Sequence, residues 1–336
     1  MLTKSPLAEH IYFLLCPNFS MIAFTMAIEP LRLANRMAGE SVYGWELISR
    51  DGAAVTASNG VEVAVARSIA AVQRECLGPV RLTMVIVCSG IEVELVQDAA
   101  VFAWLRRMHA QGAGIGGLCT AAWILAEAGL LDGKRCAIHW ENLPGFAERF
   151  PTAQVKSVLF EADRNIFTCA GGTASLDMML HLIGDRLGPE IVAKVCEQCL
   201  IDRIRAPDDR QRLPLGARIG VQNAKLLAIV ELMEANIGEP VSLLDMSRAS
   251  GLSRRHVERL FRQHMGRSPA RYYLDVRLER ARRLLRHSVL PIVEVAVASG
   301  FVSASHFSKR YRERYKVSPQ ADRREIEAAA LTPAAG

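Results

Sequence analysis

Residues 243–261 read LLDMSRASGLSRRHVERLF, and residues 292–311 read IVEVAVASGFVSASHFSKRY. Each stretch holds a short apolar segment, the pair Ser-Gly, an apolar residue and a serine that opens a basic segment. Glycine permits the left-handed backbone that ends one helix and turns the chain. The serine can cap the next helix by accepting a backbone N–H. Both stretches are therefore predicted to form two helices joined by a tight turn.

Apolar residues at helical spacing indicate which side of each basic helix faces the core. They are Val257, Leu260 and Phe261 in the first helix and Phe307, Tyr311 and Tyr315 in the second. The side chains predicted to point outward are Arg254, Arg255, Glu258, Arg259 and Arg262, and then Ala304, Ser305, His306, Ser308, Lys309 and Arg312. The alternative interpretation is that these are solvent-exposed helices of a helical bundle, which would also carry basic residues on their outer faces. The duplicated turn and basic face favour helix-turn-helix motifs that enter successive major grooves of DNA.

A long helix is predicted between the two motifs, from about Pro269 to His287, and the sequences GRSP (266–269) and KVSP (316–319) close them. This arrangement resembles the DNA-binding domain of AraC/XylS-type regulators. The resemblance implies base contacts by two sets of residues, Arg255, Glu258 and Arg259, and Ser305, His306 and Lys309. Lys316 stands where that family usually has glycine, and we expect only a slight change in the turn.

The charge of the chain is divided unevenly. From Val221 to the end there are 20 basic and 12 acidic residues, against 21 and 23 before it. A basic module joined to a nearly neutral one is typical of a DNA-binding domain attached to a domain that senses a small molecule. No apolar run is long enough to span a membrane, and the first residues lack the pattern of a secretory signal. We expect a cytoplasmic protein with no membrane partner.

The chain has eight cysteines in no regular framework. Cys196 and Cys199 form the only C-x-x-C pair, in a helix predicted over Glu190 to Arg203. No second pair or histidine cluster accompanies them, so no metal site is predicted. A pair of structural thiols is favoured, with a redox switch as the alternative, and no cofactor is indicated.

The first two hundred residues alternate between strand-like and helical patterns. Strands are predicted at residues 10–16, 45–49, 61–65, 81–88, 136–139, 155–159 and 165–169, with helices at 21–37, 99–110 and after Gly117 and Gly171. This alternation predicts an α/β fold with a parallel sheet covered on both faces. We expect a sensing domain at 1–204, a linker at 205–220, an all-α DNA-binding domain at 221–325 and a disordered tail at 326–336.

Cys119 is predicted to lie where a glycine-rich strand turns abruptly into a helix. This is the geometry of a nucleophile elbow, in which helix N–H groups can lower a thiol pKa. His139 follows 20 residues later, at the expected end of another strand. Both side chains are predicted to meet at the carboxyl edge of the sheet, where open α/β sheets bind ligands.

Several motifs in this half resemble the ThiJ/PfpI branch of the class I glutamine amidotransferase-like, flavodoxin-like fold. They are GLCT (117–120), AGLLDG (128–133), HWEN (139–142), FSMIAF (19–24), EPLR (29–32) and GGTASLD (171–177). Together with the AraC-type half, they make the chain similar to GlxA-type regulators. As a group these respond to compounds such as glycine betaine, carnitine or arginine. The resemblance implies a homodimer that acts with RNA polymerase at a promoter.

The catalytic set of that superfamily is incomplete in this sequence. The active members have a glutamate soon after the first strand, where this chain has SMIAF (20–24), and Glu29 comes too late. Many also have histidine directly after the cysteine, where this chain has Thr120. A binding pocket on a vestigial elbow is therefore favoured over catalysis. Its candidate residues are Asn18, Cys119, Thr120, His139, Trp140 and Glu141.

Trp123 is predicted to be a core residue, whereas for Trp140 a core position and a place in the pocket are both open. The aromatic face of Trp140 beside the Glu141 carboxylate suits a quaternary ammonium group. We expect a metabolite-responsive regulator, an activator of a catabolic operon. The alternatives are a thiol-dependent hydrolase or glyoxalase-like enzyme with an accessory DNA-binding tail, and a constitutive repressor.

Overall fold

The computed structural model describes residues 9–75 and 82–324 of the chain. It separates into two compact units, the first ending at Gln211 and the second beginning at Arg212. Within the described ranges, no helix combines the length and apolar character that a membrane crossing requires. The predicted tail at 326–336 and the first residue of the predicted strand at 81–88 lie outside these ranges.

The first unit is built on a seven-stranded sheet, which confirms the predicted fold class. The described part of this unit has seven strands in the main sheet and four in two small sheets, β3 with β4 and β8 with β9. In chain order they are β1 (Glu9–Leu15), β2 (Tyr43–Ser49), β3 (Val55–Thr56), β4 (Glu62–Val63), β5 (Arg67–Ser68), β6 (Leu82–Cys88), β7 (Gly114–Leu118), β8 (Arg135–Ala137), β9 (Gln154–Lys156), β10 (Phe160–Asp163) and β11 (Ile166–Cys169). The order across the main sheet is β10-β11-β7-β6-β1-β2-β5. Every neighbouring pair is parallel except β10 with β11.

Helices cover both faces of this sheet. They are α1 (Met21–Ala38), α2 (Ile69–Glu75), α3 (Ala99–Ala110), α4 (Ala122–Glu127), α5 (Leu143–Arg149), α6 (Ala174–Leu187) and α7 (Pro189–Cys199). Alternate residues of β1 point to opposite sides, as a strand requires. Phe13 therefore joins the core under α1, α6 and α7, while Leu14 joins the core under α2 to α5. The central strands β1, β6 and β7 are mostly apolar, because helices cover both faces of the sheet.

Three local features of this unit differ from what the sequence predicted. Strands β8 and β9 pair with each other in a separate two-stranded sheet and do not extend the main one. Strand β10, which pairs antiparallel with β11, was not predicted. Helix α7 ends at Cys199 rather than Arg203, because Leu200 adopts a left-handed backbone (φ 54°) and ends the helix.

The division between the units falls inside the segment predicted as a linker. Residues 205–211 pack onto the first unit. The Arg205 side chain donates to Asp177 of α6, and the Pro207 carbonyl accepts from the Leu159 N–H. The Gln211 side chain donates to the carbonyls of Ile138 and Val158, at 3.0 and 2.7 Å. We call residues 205–211 the strap.

The second unit consists of helices among its described residues. They are α8 (Leu215–Ile219), α9 (Ala224–Ala235), α10 (Leu243–Ser250), α11 (Arg254–Met265), α12 (Pro269–Arg286), α13 (Ile292–Ala298) and α14 (Ala304–Tyr315). Two cores form around the long helix α12. Val257 and Phe261 of α11 lie in one core, and Phe307 and Tyr311 of α14 lie in the other. All four are fully buried, so the predicted inner faces are confirmed.

Candidate DNA interface and candidate ligand site

The first helix-turn-helix motif is α10 followed by α11. Ser242 and Asp245 form a reciprocal capping box at the start of α10, and Gly251 ends that helix with a left-handed φ of 67°. Ser253 then caps α11 by accepting from the His256 N–H. These caps satisfy N–H groups that a helix start leaves without partners, so the turn is set by local sequence.

The second motif, α13 followed by α14, repeats this geometry with one extra residue. Gly300 turns the chain with φ 76°, and Ser303 caps α14 by accepting from the His306 N–H. Two residues separate Gly300 from Ser303, whereas one separates Gly251 from Ser253. The additional residue is Val302. A Cβ on Gly300 would lie 2.3 Å from the Ile237 carbonyl oxygen, so this position requires glycine.

The outer faces of α11 and α14 are the candidate DNA interface. The side chains predicted to contact DNA are all exposed, and they are Arg254, Arg255, Glu258, Arg259 and Arg262 on α11 and Ser305, His306, Lys309 and Arg312 on α14. A cavity of about 600 Å³ runs along Arg255, Arg259 and Arg262. The α11 face is the more cationic, and α14 combines cations with neutral hydrogen-bonding groups.

Two buried carboxylates hold the motifs against α12. Asp275 lies 2.6 Å from Arg267, just beyond α11, and 3.6 Å from Arg314 of α14. Asp322 lies 3.0 Å from Arg282 of α12 and accepts from the Tyr311 hydroxyl of α14 at 2.5 Å. Sequence reasoning missed both, and Arg282 and Arg314 each lie about 40 positions from the carboxylate that they bind. These ion pairs fix the placement of the two outward faces.

Cys119 occupies the elbow of the first unit. Its φ is 62°, a left-handed conformation that is uncommon for residues other than glycine. The side chain is only 9% exposed. A Cβ at Gly171 would lie 2.5 Å from the Cys119 Cβ, so Gly171 lets the loop before α6 close over the thiol.

The electrostatics of the elbow differ from those of a reactive thiol. Burial raises the pKa of Cys119 to about 12, with the neighbouring Cys169 adding to the rise. Burial also lowers the pKa of His139, although the Glu141 carboxylate opposes that shift. Both groups are therefore neutral at pH 7, and the expected lowering of the thiol pKa by the helix start is wrong. Desolvation outweighs the helix N–H groups here.

His139 reaches the elbow through its backbone. Its N–H donates to the Cys119 carbonyl at 3.1 Å. Its ring points to Glu141, with Nδ1 3.8 Å from the carboxylate. Among the described side chains, the imidazole lies near the Glu141 carboxylate and the Trp140 ring, and no hydrogen bond to the thiol accompanies these contacts. The base–nucleophile contact that covalent catalysis requires is thus lacking in this arrangement.

Thr120 and Asn18 shape the same edge of the sheet. The buried Thr120 hydroxyl donates to the Gly90 carbonyl at 2.6 Å, which occupies it with a structural contact. The Asn18 amide donates to Glu92 at 2.9 Å. Glu92 follows β6 with a left-handed φ of 61° and was not singled out from the sequence. The predicted residues do lie at one edge, but Thr120 is turned inward.

Trp140 and Glu141 lie on the more accessible side of this edge. The Trp140 and His139 rings lie with centroids 5.7 Å apart, and the Glu141 side chain is 42% exposed. Trp123, by contrast, is fully buried against Phe146 and Phe150 and belongs to the core. The edge thus presents the Trp140 ring and the Glu141 carboxylate next to His139, whose backbone binds the Cys119 carbonyl.

A groove of about 620 Å³ lies elsewhere on the first unit, between α1, α6 and the chain after α7. Two of the arginines that line it have carboxylate partners: Arg32 binds Glu29 at 2.7 Å, and Arg205 binds Asp177 at 2.5 Å. Glu29 lines this groove, and its side chain is half-exposed. Across the described ranges, no group of three or more His, Cys, Asp or Glu side chains could hold a metal ion.

Comparison with known proteins agrees with both halves of this description. The model of the DJ-1/PfpI family matches residues 9–185, and that of a helix-turn-helix domain matches residues 246–325. The HTH-type transcriptional regulator GbdR of Pseudomonas aeruginosa is 43% identical over 94% of this chain and 84% of its own. The HTH-type transcriptional regulator GlxA of Rhizobium meliloti is 37% identical over 94% of this chain and 96% of its own.

A crystal structure of an AraC family transcriptional regulator from Pseudomonas putida has the fold of the first unit. It is 29% identical, with a TM-score of 0.51, and covers 57% of this chain and 99% of its own. An elbow-bearing α/β unit joined to two helix-turn-helix motifs is the organisation of a DNA-binding transcriptional regulator. The chain belongs to the AraC-type regulators that carry an N-terminal DJ-1/PfpI domain.

Proposed function

We propose that this protein is a cytoplasmic, homodimeric activator of a catabolic operon. It binds promoter DNA and responds to a small metabolite that binds at the sheet edge beside Cys119, His139 and Trp140. The observation that carries the DNA half is the duplicated exposed basic face, on α11 and again on α14. Dimerisation would pair the DNA half-sites, and RNA polymerase would be recruited to the bound promoter.

The effector that best fits the edge is a cation, such as a quaternary amine or a basic amino acid. An aromatic ring attracts cations through its negative face, and a nearby carboxylate adds charge attraction. Trp140 and Glu141 supply these two groups, and Glu92 adds a second carboxylate beside Asn18. The neutral His139 ring adds no opposing positive charge at pH 7.

The first unit acts as a binding domain rather than an enzyme in this proposal. The support is chemical, because a thiol with a pKa of about 12 is almost entirely protonated at neutral pH. The thiolate is the nucleophilic form. The DJ-1/PfpI family includes enzymes, so a thiol-dependent hydrolase is the competing function.

The strap offers a route from the effector site to the DNA-binding unit. Gln211 is the last residue of the first unit and binds the Ile138 carbonyl, directly before His139. Arg205 binds Thr173, which lies two residues after Gly171, the glycine that packs on Cys119. An effector that shifts the 138–142 loop would therefore move the chain just before Arg212. The effector switches the protein only if it binds one conformation of the protein more tightly than the other.

The test compares wild type with Cys119→Ser in a promoter-reporter assay, together with a turnover assay on the purified protein. We expect activation by a betaine, carnitine or basic amino acid to survive in the variant, with no turnover by either protein. Thiol-dependent turnover that Cys119→Ser abolishes would support the enzyme. DNA binding and repression that none of these metabolites relieves would support a constitutive repressor.

A Trp140→Ala variant tests the effector class, with Trp140→Phe as its matched control. The phenylalanine ring keeps an aromatic face, so we expect it to retain most of the cation affinity measured by calorimetry. The alanine variant should lose about 1–2 kcal/mol of binding free energy. Equal affinities in all three proteins would exclude the Trp140 ring from the site.

A further inference from the structure

The extra residue in the second turn, Val302, is 99% exposed. Other valines of this motif, Val293 and Val297 on α13, are 60% and 64% exposed. Val302 differs from them in position, because it directly precedes the capping serine at the start of α14. The first residues of such a second helix are the part that approaches base edges. The exposed Ser305 and His306 lie in that same turn.

The backbone on both sides of Val302 is held in place. Arg277 of α12 donates to the carbonyls of Ser299 and Gly300, at 3.0 and 2.5 Å, and its guanidinium lies 4.3 Å from the Phe301 ring centre. Phe301 is buried, and Ser303 is fixed by its cap. The valine side chain is therefore presented to water by a fixed turn.

An isopropyl group held in water gains free energy when an apolar surface covers it. In the major groove, the apolar group on a base edge is the C5-methyl of thymine. The first motif has no residue at this position, since only Leu252 stands between Gly251 and Ser253 and it is partly buried in the core. We propose that Val302 is a specificity residue that reads a thymine methyl in the half-site bound by α14.

This inference rests on the proposed DNA binding, and a selection experiment separates the two. Full-length wild type, Val302→Ser and the matched control Val297→Ser are each used to select duplexes from a random-sequence DNA library. We expect wild type and Val297→Ser to enrich the same motif, and Val302→Ser to lose preference for one thymine within it. Because Val302 has no packing contacts to lose, the variant should fold normally, which its melting temperature checks.

The selected duplex is then resynthesised with deoxyuridine at that thymine, which removes only the methyl group. Wild type should bind it about fivefold more weakly, and Val302→Ser should bind both duplexes equally. If wild type selects no motif, the proposed function fails. If Val302→Ser keeps the wild-type motif, or still discriminates against deoxyuridine, only the role of Val302 fails. Unchanged DNA selection with reduced reporter activation would likewise overturn it, and would assign Val302 to a protein contact.

Discussion

The elbow of the first unit and the turns of the second unit share the same local backbone conformation, but it serves opposite purposes in the two places. Cys119 (φ 62°) and Gly251 (φ 67°) both reverse the chain with a left-handed residue shortly before a helix. At the elbow, the residue that turns the chain is a cysteine that the Gly171 loop covers. At the DNA-binding motif it is an exposed glycine, and the helix beyond it presents arginines to solvent. Local turn chemistry sets the direction of the chain, whereas the surrounding packing decides whether the side chain is buried or available.

The largest effect that separates the two regions is the reactivity of Cys119. A pKa of about 12, against an ordinary value of 9.0, lowers the thiolate fraction about a thousandfold near neutral pH. Iodoacetamide labelling at pH 7.5, followed by peptide mass spectrometry, should therefore modify Cys119 far more slowly than an unhindered thiol. The partly exposed Cys199, whose pKa is raised by partial burial, serves as the internal reference.

The same shift has a consequence for stability. A thiol whose folded pKa is raised contributes stability that is present below its unfolded pKa and is lost as the pH rises towards the folded value. The free energy of unfolding should therefore fall between pH 9 and 12. Labelling of Cys119 as fast as Cys199, with no such fall, would contradict a buried neutral elbow.

The next effect concerns the packing that covers the elbow. In Gly171→Ala, the new methyl would clash with Cys119 in a backbone conformation (φ 80°) that already disfavours alanine. We expect a loss of about 2–5 kcal/mol in the free energy of unfolding of the first unit. Gly172→Ala is the matched control, because it also has a positive φ but no atom within 4 Å of its Cβ. It should lose about 1–2 kcal/mol. The free energies of unfolding are measured by urea denaturation. If both variants lose the same amount, backbone strain alone accounts for the loss.

On the DNA side, Arg259→Ala should weaken binding to a selected site by about 1–3 kcal/mol, because an arginine that reads guanine adds base discrimination. Binding to unrelated duplexes should weaken less. Lys194→Ala is the control, since this exposed lysine lies on α7 of the first unit and pairs with Glu190. A loss of the same size on every sequence, measured by fluorescence anisotropy, would show that Arg259 contacts only phosphate.

The smallest effect compares the ends of the two DNA-binding helices. Gly266 ends α11 with φ 64°, and Lys316 ends α14 with nearly the same φ of 66°. Lysine therefore carries a strain that glycine avoids, so Lys316→Gly should stabilise the second unit by about 1 kcal/mol. Gly266→Ala should destabilise it by a similar amount. Thermal melts of both variants measure this, and a lower melting temperature for Lys316→Gly would contradict it.

The sequence predicted most reliably what local chemistry controls. The capping serines, the turning glycines and the stripe formed by Val257, Leu260 and Phe261 each act within a few residues. The helices of the second unit and their outward faces therefore followed from pattern alone. The left-handed turn at Lys316 was also predicted to differ little from glycine, which agrees with the near-equal φ values.

What could not be predicted depends on residues distant in the chain. Thr120 binds a carbonyl 30 positions away, and Gln211 binds one 73 positions away. The raised pKa of Cys119 comes from the depth at which the surrounding elements bury it. Similarly, β8 and β9 have strand-like sequences, but only the tertiary structure places them outside the main sheet. Polar composition at 205–220 indicated a linker, although several of its side chains hold the strap to the first unit.

The strap has a practical consequence for engineering hybrid regulators. A fusion joint placed at residue 204, where composition changes, would separate Arg205 and Gln211 from the carboxylate and carbonyls that they bind. The first unit of the donor protein would then carry an unsupported loop in place of its own closing segment. Exchanging modules after Gln211 keeps that segment with its parent, so that a transplanted first unit retains the contacts of Gln211 with Ile138 and Val158.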